Sequence, residues 1–270
     1  MLIVGERINA SRKSIADAIM LQDVGRIKKE ALDQRAAGAH FIDVNAGVFM
    51  GEEVRYLKWL VQTIQEEGEI PLCIDTPDPK ALVEALSVHK GRAMVNSITD
   101  EADRYRNMIP IIKDFRPQVV ALCMTDGGMP TTSEGRFRIA TRLIEKLTGE
   151  GVSPEDIFID LLVMPISTDT KYGIVVLETL EKLSVSFPRV NTICGLSNIS
   201  YGLPSRRLIN QIFMVAAMMK GLTAVILDPL DKRIMANLIT TNALLGKDEY
   251  CADYLAAFRL GKLDLKGGNG

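Results

Sequence analysis

The chain has 270 residues, a formal net charge of −2, 47% hydrophobic and 24% charged side chains, the balance of a soluble globular protein. With no basic excess a nucleic-acid surface is excluded, and no apolar run approaches the roughly 18 residues a membrane span needs. The length suits one (β/α)8 barrel of about 250 residues, although two smaller domains would also fit.

In chain order, Leu2-Ile3-Val4 opens a first strand that ends in Glu6-Arg7-Ile8-Asn9. Its start carries no basic segment followed by an apolar one, so no secretion signal is expected. A helix follows over 24–37, closed by Gly38. The second strand is Phe41–Asn45, and the next helix sets Leu57, Leu60, Val61 and Ile64 on one face. The third strand covers 70–76, and Pro79 suits the first turn of the helix running to about His89. The fourth strand is 93–97, with a helix over 101–114. The fifth is 119–125, leading into Asp126-Gly127-Gly128-Met129-Pro130 and a helix with Ile139, Leu143, Ile144 and Leu147 on its core side. The sixth strand is 157–163, with a helix over 171–183. The seventh begins at Val190, runs through Cys194 and reaches Gly195-Leu196-Ser197-Asn198. The next helix presents Leu208, Ile209, Ile212, Phe213, Ala216 and Ala217 as one stripe and stops at Gly221. The eighth strand is 222–228, followed by a helix over 232–245 and one more segment over 249–260.

Short apolar strands alternate with amphipathic helices at a spacing of roughly 30 residues, the size of a βαβ unit, with no linker between them. Eight such units imply an α/β fold closed into a single-domain TIM barrel over 1–260, with a frayed tail over 261–270. A doubly wound open sheet is the rival, and the missing G-x-G-x-x-G after the first strand counts against it. The four cysteines, Cys73, Cys123, Cys194 and Cys251, form no C-x-x-C pair. Three fall in apparent strands, so they read as buried reduced thiols and place the protein in the cytoplasm. His40 and His89 fall at no strand end and read as surface or packing residues.

The C-terminal strand ends of a barrel surround one mouth, where active sites sit. There this sequence places Glu6 and Asn9, Asp43 and Asn45, Asp75, Asn96, Asp160, Ser197 and Asn198, and Asp228. Any one of them also suits the start of a loop, but a set on nearly every strand is not explained by packing. The set is acidic and amide in character. With no Lys or His among these positions, Schiff-base and Ser-His-Asp chemistry are disfavoured. A divalent-metal site of carboxylates alone is allowed, but the amides better suit a flat heterocycle whose amidine-like edge pairs with a carboxylate.

Gly5-Glu6-Arg7-Ile8-Asn9, Leu72-Cys73-Ile74-Asp75-Thr76, Met94-Val95-Asn96-Ser97, Phe158-Ile159-Asp160 and Gly195-Leu196-Ser197-Asn198 together resemble the pterin-binding methyltransferases. The resemblance is to the methyltetrahydrofolate:corrinoid protein methyltransferases, with the pterin-binding domain of cobalamin-dependent methionine synthase and dihydropteroate synthase more distant. The resemblance implies a barrel, commonly homodimeric, that moves a methyl group between nitrogen-5 of tetrahydrofolate and the cobalt of a corrinoid (cobalamin) on a transiently docked partner protein. It implies that Asp75, Asn96 and Asp160 hold the pterin with Gly195 and Ser197, and that Asn198 hydrogen-bonds near nitrogen-5. Asn198 and Asp160 are then the catalytic pair, with no bound metal. Glu6, Asn9, Asp43, Asn45 and Asp228 are supporting positions. Arg206 and Arg207 either meet the carboxylates of the folate tail or stand in solvent. Two departures from the family pattern are Tyr201, where a Gln is common, and the 126–130 loop. A dihydropteroate-synthase-like condensation and a non-catalytic folate-binding module are the alternatives. The first of these lacks the Lys and the basic motif expected near the seventh and eighth strands.

Overall fold

A computed structural model describes residues 1–66 and 68–264; the tail positions Lys266–Gly270 lie outside the described residues. The elements, in order, are β1 (Leu2–Asn9), α1 (Lys13–Met20), α2 (Val24–Ala36), β2 (Phe41–Asn45), α3 (Glu53–Gln65), β3 (Leu72–Asp75), α4 (Pro79–Val88) and β4 (Met94–Thr99). Then come α5 (Ala102–Phe115), β5 (Gln118–Leu122), α6 (Ser133–Gly149), β6 (Ile157–Asp160), α7 (Tyr172–Ser186) and β7 (Asn191–Ile193). After α8 (Arg206–Met219), β8 (Ala224–Leu227) and α9 (Lys232–Leu244), the described chain ends with α10 (Ala252–Arg259). Several helices start on side-chain caps: Asp78 accepts from Lys80 N at 2.9 Å, and Asp231 accepts from Arg233 N and Ile234 N at 3.0 and 3.2 Å.

All eight strands are parallel, in the order β7-β6-β5-β4-β3-β2-β1-β8. The barrel nearly closes between β7 and β8 through a parallel bridge at Gly195 and Ile226. Lower on that seam, Thr192 N donates to Thr223 Oγ1 at 2.9 Å and Thr223 N to Thr192 Oγ1 at 3.2 Å, so threonine hydroxyls stand in for ladder bonds. The expected single barrel is what the chain forms.

Strand side chains alternate between two cores. One set, including Ile3, Ile42, Leu72, Ile74, Val95, Val119, Ile159 and Val225, packs under the helices. The other fills the barrel: Val4, Cys73, Met94, Val120, Phe158, Ile193 and Ala224, with Leu2, Phe41 and Ile226 against them. Two residues further along each strand, on the same face, stand Glu6, Asp43, Asp75, Asn96, Leu122, Asp160, Gly195 and Asp228. The strand period therefore sets the polar rim directly on top of the apolar filling.

Two strands are re-aimed beside that rim. The β1–β2 register slips between Gly5 and Ile8, and the β4–β5 register slips between Asn96 and Ile98, each by one extra residue. At the first slip Arg7 N has no ladder partner and donates instead to Gln34 Oε1 at 3.1 Å. Gln34 reaches in from α2 so closely that a Cβ on Gly5 would lie 2.3 Å from its Oε1, so any larger residue there would displace the Gln34 amide from Arg7 N.

The sequence reading differs in detail. The segment after the first strand holds a separate short helix, α1, and the third, fifth, sixth, seventh and eighth strands are shorter than expected. Cys123 and Cys194 thus fall one residue past their strands, although both stay buried as free thiols with Cys73, while Cys251 is exposed. On α8 the expected stripe is only half inside. Phe213 and Ala217 are buried with Asn210, Met214 and Met218, whereas Leu208 and Ile212 are 58% and 62% exposed. His40 is exposed and His89 half-buried, and both brace backbone: Ile3 N donates to His40 Nδ1 at 3.0 Å and Leu72 N to His89 Nε2 at 3.3 Å.

Candidate functional site

The mouth has an acidic side over β2–β4. Asp75 and Asn96 are cross-strand neighbours in register. Asn45 Nδ2 donates to Asp75 Oδ2 at 2.9 Å and to its carbonyl at 3.2 Å, while Asn45 Oδ1 accepts from Gly47 N at 3.0 Å, which fixes the amide's orientation. Burial pushes the Asp75 carboxyl up to about 6, against the Asn45 hydrogen bond and the charge of Arg104. Arg104 is held in place by two bonds to Ser97 O, at 3.2 and 2.9 Å. Asp43 lies deeper and is pushed well above the usual carboxylate range, first by burial and then by Asp75, with the neighbouring Cys73 and Asn96 opposing the rise. Burial thus raises both carboxyls, and the Asp75 charge raises Asp43 further.

Asp160 sits across the mouth, buried at the end of β6. Its Oδ1 accepts from Leu162 N at 2.8 Å. Burial pushes its carboxyl up to about 6, against that bond and the charge of Arg136. Leu162 has φ +56°, a left-handed conformation unfavourable for a branched residue. Arg136 holds it there: fully buried, it donates from Nη1 to Leu161 O at 2.7 Å and Leu162 O at 3.0 Å, and from Nε to Pro130 O at 3.1 Å. One guanidinium thus ties together the loops after β5 and β6 and steadies the Asp160 carboxylate.

The third part lies over β7, β8 and β1. After β7 the chain makes a tight 3-10 turn, Leu196–Ser200, which leaves Asn198 exposed with its side chain unbonded among the described residues. Arg206 clamps this turn, donating from Nη2 to Ser197 O at 2.7 Å and from Nε to Ser200 Oγ at 3.1 Å. Asp228 accepts from Arg7 Nη1 at 2.7 Å, and Arg7 also pairs with Glu30. Burial, then the Asp228 charge, pushes the Glu6 carboxyl up to about 7, while Arg12, Arg206 and Arg7 oppose the rise.

The barrel therefore brings Asp43, Asn45, Asp75 and Asn96 into one hydrogen-bonded or electrostatically linked group, and Glu6 with Asp228 into another. Asp160 and Asn198 stand at the ends of neighbouring strands. Asn9 is the last residue of β1 and starts the turn after it, its Oδ1 accepting from Ser11 N at 3.0 Å. Arg206 is bound into the turn, and Arg207 stands largely in solvent 3.9 Å from Asp231. Sequence reasoning missed Arg7, Arg104 and Arg136. Arg136 had a readable signal: it occupies the core stripe of α6, ahead of Ala140, Leu143, Ile144 and Leu147, and a charge there needs buried partners.

An acidic and amide rim on a (β/α)8 barrel defines an enzyme-type mouth for a polar heterocycle. The pterin binding enzyme family profile matches residues 5–228, and the chain belongs to that family. It is 35% identical over 265 residues to a methylcorrinoid:tetrahydrofolate methyltransferase from Eubacterium limosum, covering 97% of this chain and 98% of that protein. It is 30% identical over 239 residues to a methionine synthase from Mycobacterium tuberculosis, covering 84% of this chain but only 20% of that much longer protein. Among solved structures, a dihydropteroate synthase from Xanthomonas albilineans in complex with 7,8-dihydropteroate aligns with a TM-score of 0.71 over 92% of this chain and 94% of that one. Its sequence identity is 18%, so that likeness speaks to the fold.

Proposed function

We propose that this protein is a methyltransferase that moves a methyl group between nitrogen-5 of tetrahydrofolate and the cobalt of a corrinoid carried by a partner protein. The observation that carries this reading is the end-to-end match, 97% of one chain and 98% of the other, to a relative named for methyl transfer between those two carriers. The rim suits a pterin: ionised Asp75 and Asp160 accept from its amidine-like edge, and Asn96 donates and accepts beside them.

In the folate-to-cobalt direction, Co(I) attacks the methyl carbon in line. The carbon–nitrogen bond breaks with its electron pair on nitrogen-5, which takes up a proton. In the other direction the nitrogen-5 lone pair attacks the methyl group, the cobalt–carbon pair returns to cobalt as Co(I), and nitrogen-5 releases its proton. Asn198, an amide that no group among the described residues engages, hydrogen-bonds nitrogen-5 as its charge changes, and such a contact accelerates the step where it strengthens in the transition state. Asp75, Asn96 and Asp160 orient the ring, and Arg136 and Arg206 hold the loops that present Asp160 and Asn198.

The corrinoid protein docks over the mouth and leaves again in each cycle, so the contact is transient. The apolar face of α8, with Leu208 and Ile212 one turn apart and exposed, supports a homodimer. Free cysteines throughout the described residues support a reducing, cytoplasmic setting. The decisive experiment mixes the protein with Co(I) cobalamin and methyltetrahydrofolate, then with methylcobalamin and tetrahydrofolate, and follows the cobalt spectrum. Interconversion of Co(I) and methyl-Co(III) that needs both reactants is the expected result. Folate binding with no spectral change in either direction would leave a binding module and overturn the reading.

A further inference from the structure

A cavity of about 350 Å³ opens between β1, β8, α8 and α9, with Glu6, Arg7, Asn210, Asp228 and Asp231 in its wall. Most of its charges already have partners. Arg7 is bound to Glu30 and Asp228. The other oxygen of Asp228 accepts from Leu230 N at 3.0 Å. Asp231 caps α9 with Oδ1, and its Oδ2 faces Arg207 at 3.9 Å. Two groups stand apart. Glu6 makes no hydrogen bond among the described residues, and neither does the Asn210 amide, which is only 8% exposed and whose Oδ1 is fully shielded from solvent. Buried polar groups are ordinarily satisfied, so an amide left open against a cavity marks a place for a ligand.

The wall also selects the ligand's charge. A carboxylate would enter beside the three carboxylates Glu6, Asp228 and Asp231, with the Arg7 guanidinium already bound to Glu30 and Asp228. A lone cation would satisfy Glu6 but leave the Asn210 N–H groups without an acceptor. A neutral amide meets both groups: its N–H donates to Glu6, and its carbonyl accepts from Asn210 Nδ2. We propose that this cavity is a binding subsite for a neutral carboxamide, with Asn210 and Glu6 as its recognition groups. The proposal rests on the methyl-transfer reading for its source, because both reactants there carry amides: the corrinoid around its ring edge, and the folate between its benzoyl and glutamate parts. It also reassigns the region of Arg206 and Arg207, which the sequence offered as a partner for folate carboxylates.

The test is calorimetric titration of wild-type protein, Asn210→Leu and Asn210→Asp with cyanocobalamin, tetrahydrofolate and 6-methyltetrahydropterin, which lacks the benzoyl tail. Asn210→Leu keeps the side chain's size and removes an unpaired buried amide. It should raise the thermal midpoint while weakening one amide-bearing ligand about tenfold. Asn210→Asp keeps the shape, loses the N–H donor, and should weaken the same ligand, so the proposal stays testable if the leucine variant misfolds. Weaker cyanocobalamin alone assigns the corrinoid's amides. Weaker tetrahydrofolate with unchanged 6-methyltetrahydropterin assigns the folate's amide. Unchanged affinity for all three, or equal weakening of all three, overturns the subsite. These titrations need no turnover, so a wild-type protein that binds but transfers no methyl group overturns the function and leaves the subsite to its own result.

Discussion

Within the barrel, two neighbouring levels share the same strands and the same inward face yet behave oppositely. The lower level, with Val4, Cys73, Met94, Val120, Phe158 and Ile193, is dry and apolar. The upper one, two residues on and about 6.6 Å along each strand, holds carboxyls pushed above their usual range, such as Asp75 and Asp160, at about 6. Burial stabilises the first level and destabilises the second, because an ionised carboxylate loses its water without gaining a full set of partners. The lower level should respond to mutation through folding, and the upper through binding and rate.

The largest expected effect lies in the lower level. Phe158→Ala removes a ring that is 2% exposed and should cost about 3–5 kcal/mol of unfolding free energy, read from urea denaturation. If stability barely moved and only folate affinity fell, the division between the levels would be wrong. Next comes Asn198→Ala in the upper level. Losing a contact made mainly in the transition state should lower kcat by about 100-fold, roughly 3 kcal/mol, with KM for the folate within a few-fold and the unfolding midpoint unchanged.

Asp160→Asn sharpens the comparison because its two readouts move in opposite directions. Losing the charge that accepts from the pterin should weaken folate binding by about 1.5–3 kcal/mol. Stability of the free protein should rise instead. The Asp160 carboxyl is pushed up to about 6 from an ordinary 3.8, so the folded state holds the proton more tightly than the unfolded chain. Its contribution is fully present below about pH 4 and is lost as pH rises through about 6. At pH 8 D160N should therefore be more stable than wild type, by on the order of 2 kcal/mol, with the gap closing towards pH 4. Leu162 N keeps an acceptor in the variant, so the loop geometry survives. Wild-type folate affinity should fall as pH drops through about 6, because a protonated Asp160 no longer accepts two N–H groups.

How much of this was legible depends on how local each cause is. Phe41–Asn45 reads correctly to the residue, because an apolar run ending in a polar residue is a local signal. The rim residues were visible for the same reason. The supporting cations were not, because their partners are remote: Arg7 meets Asp228 across 221 positions, and Arg136 meets Leu161 and Leu162 across 25 and 26. The slip in β1 depends on Gln34 arriving from another element, so no pattern within the strand announces it. On α8 the period of the stripe was right, but periodicity does not say how much of a wide apolar face the core covers, and Leu208 and Ile212 were left outside.

The smallest effect tests whether the upper level depends on position as well as on chemistry. Gly195 has φ −74°, which any residue adopts, so Gly195→Ala leaves the backbone unstrained. A Cβ there would lie 3.2 Å from Asn198 Nδ2 and 3.8 Å from its Cγ, tight enough to push the amide aside by a few tenths of an ångström. No polar group is removed and nothing in the apolar filling changes, so stability should stay within about 0.5 kcal/mol of wild type. If Asn198 acts by being held against nitrogen-5, turnover should fall about three- to tenfold, since small displacements at a reacting centre cost rate steeply. Unchanged turnover in this variant, beside a large loss in Asn198→Ala, would mean that the amide moves freely to its partner. Rigid presentation by the Leu196–Ser200 turn and its Arg206 clamp would then contribute nothing to the rate.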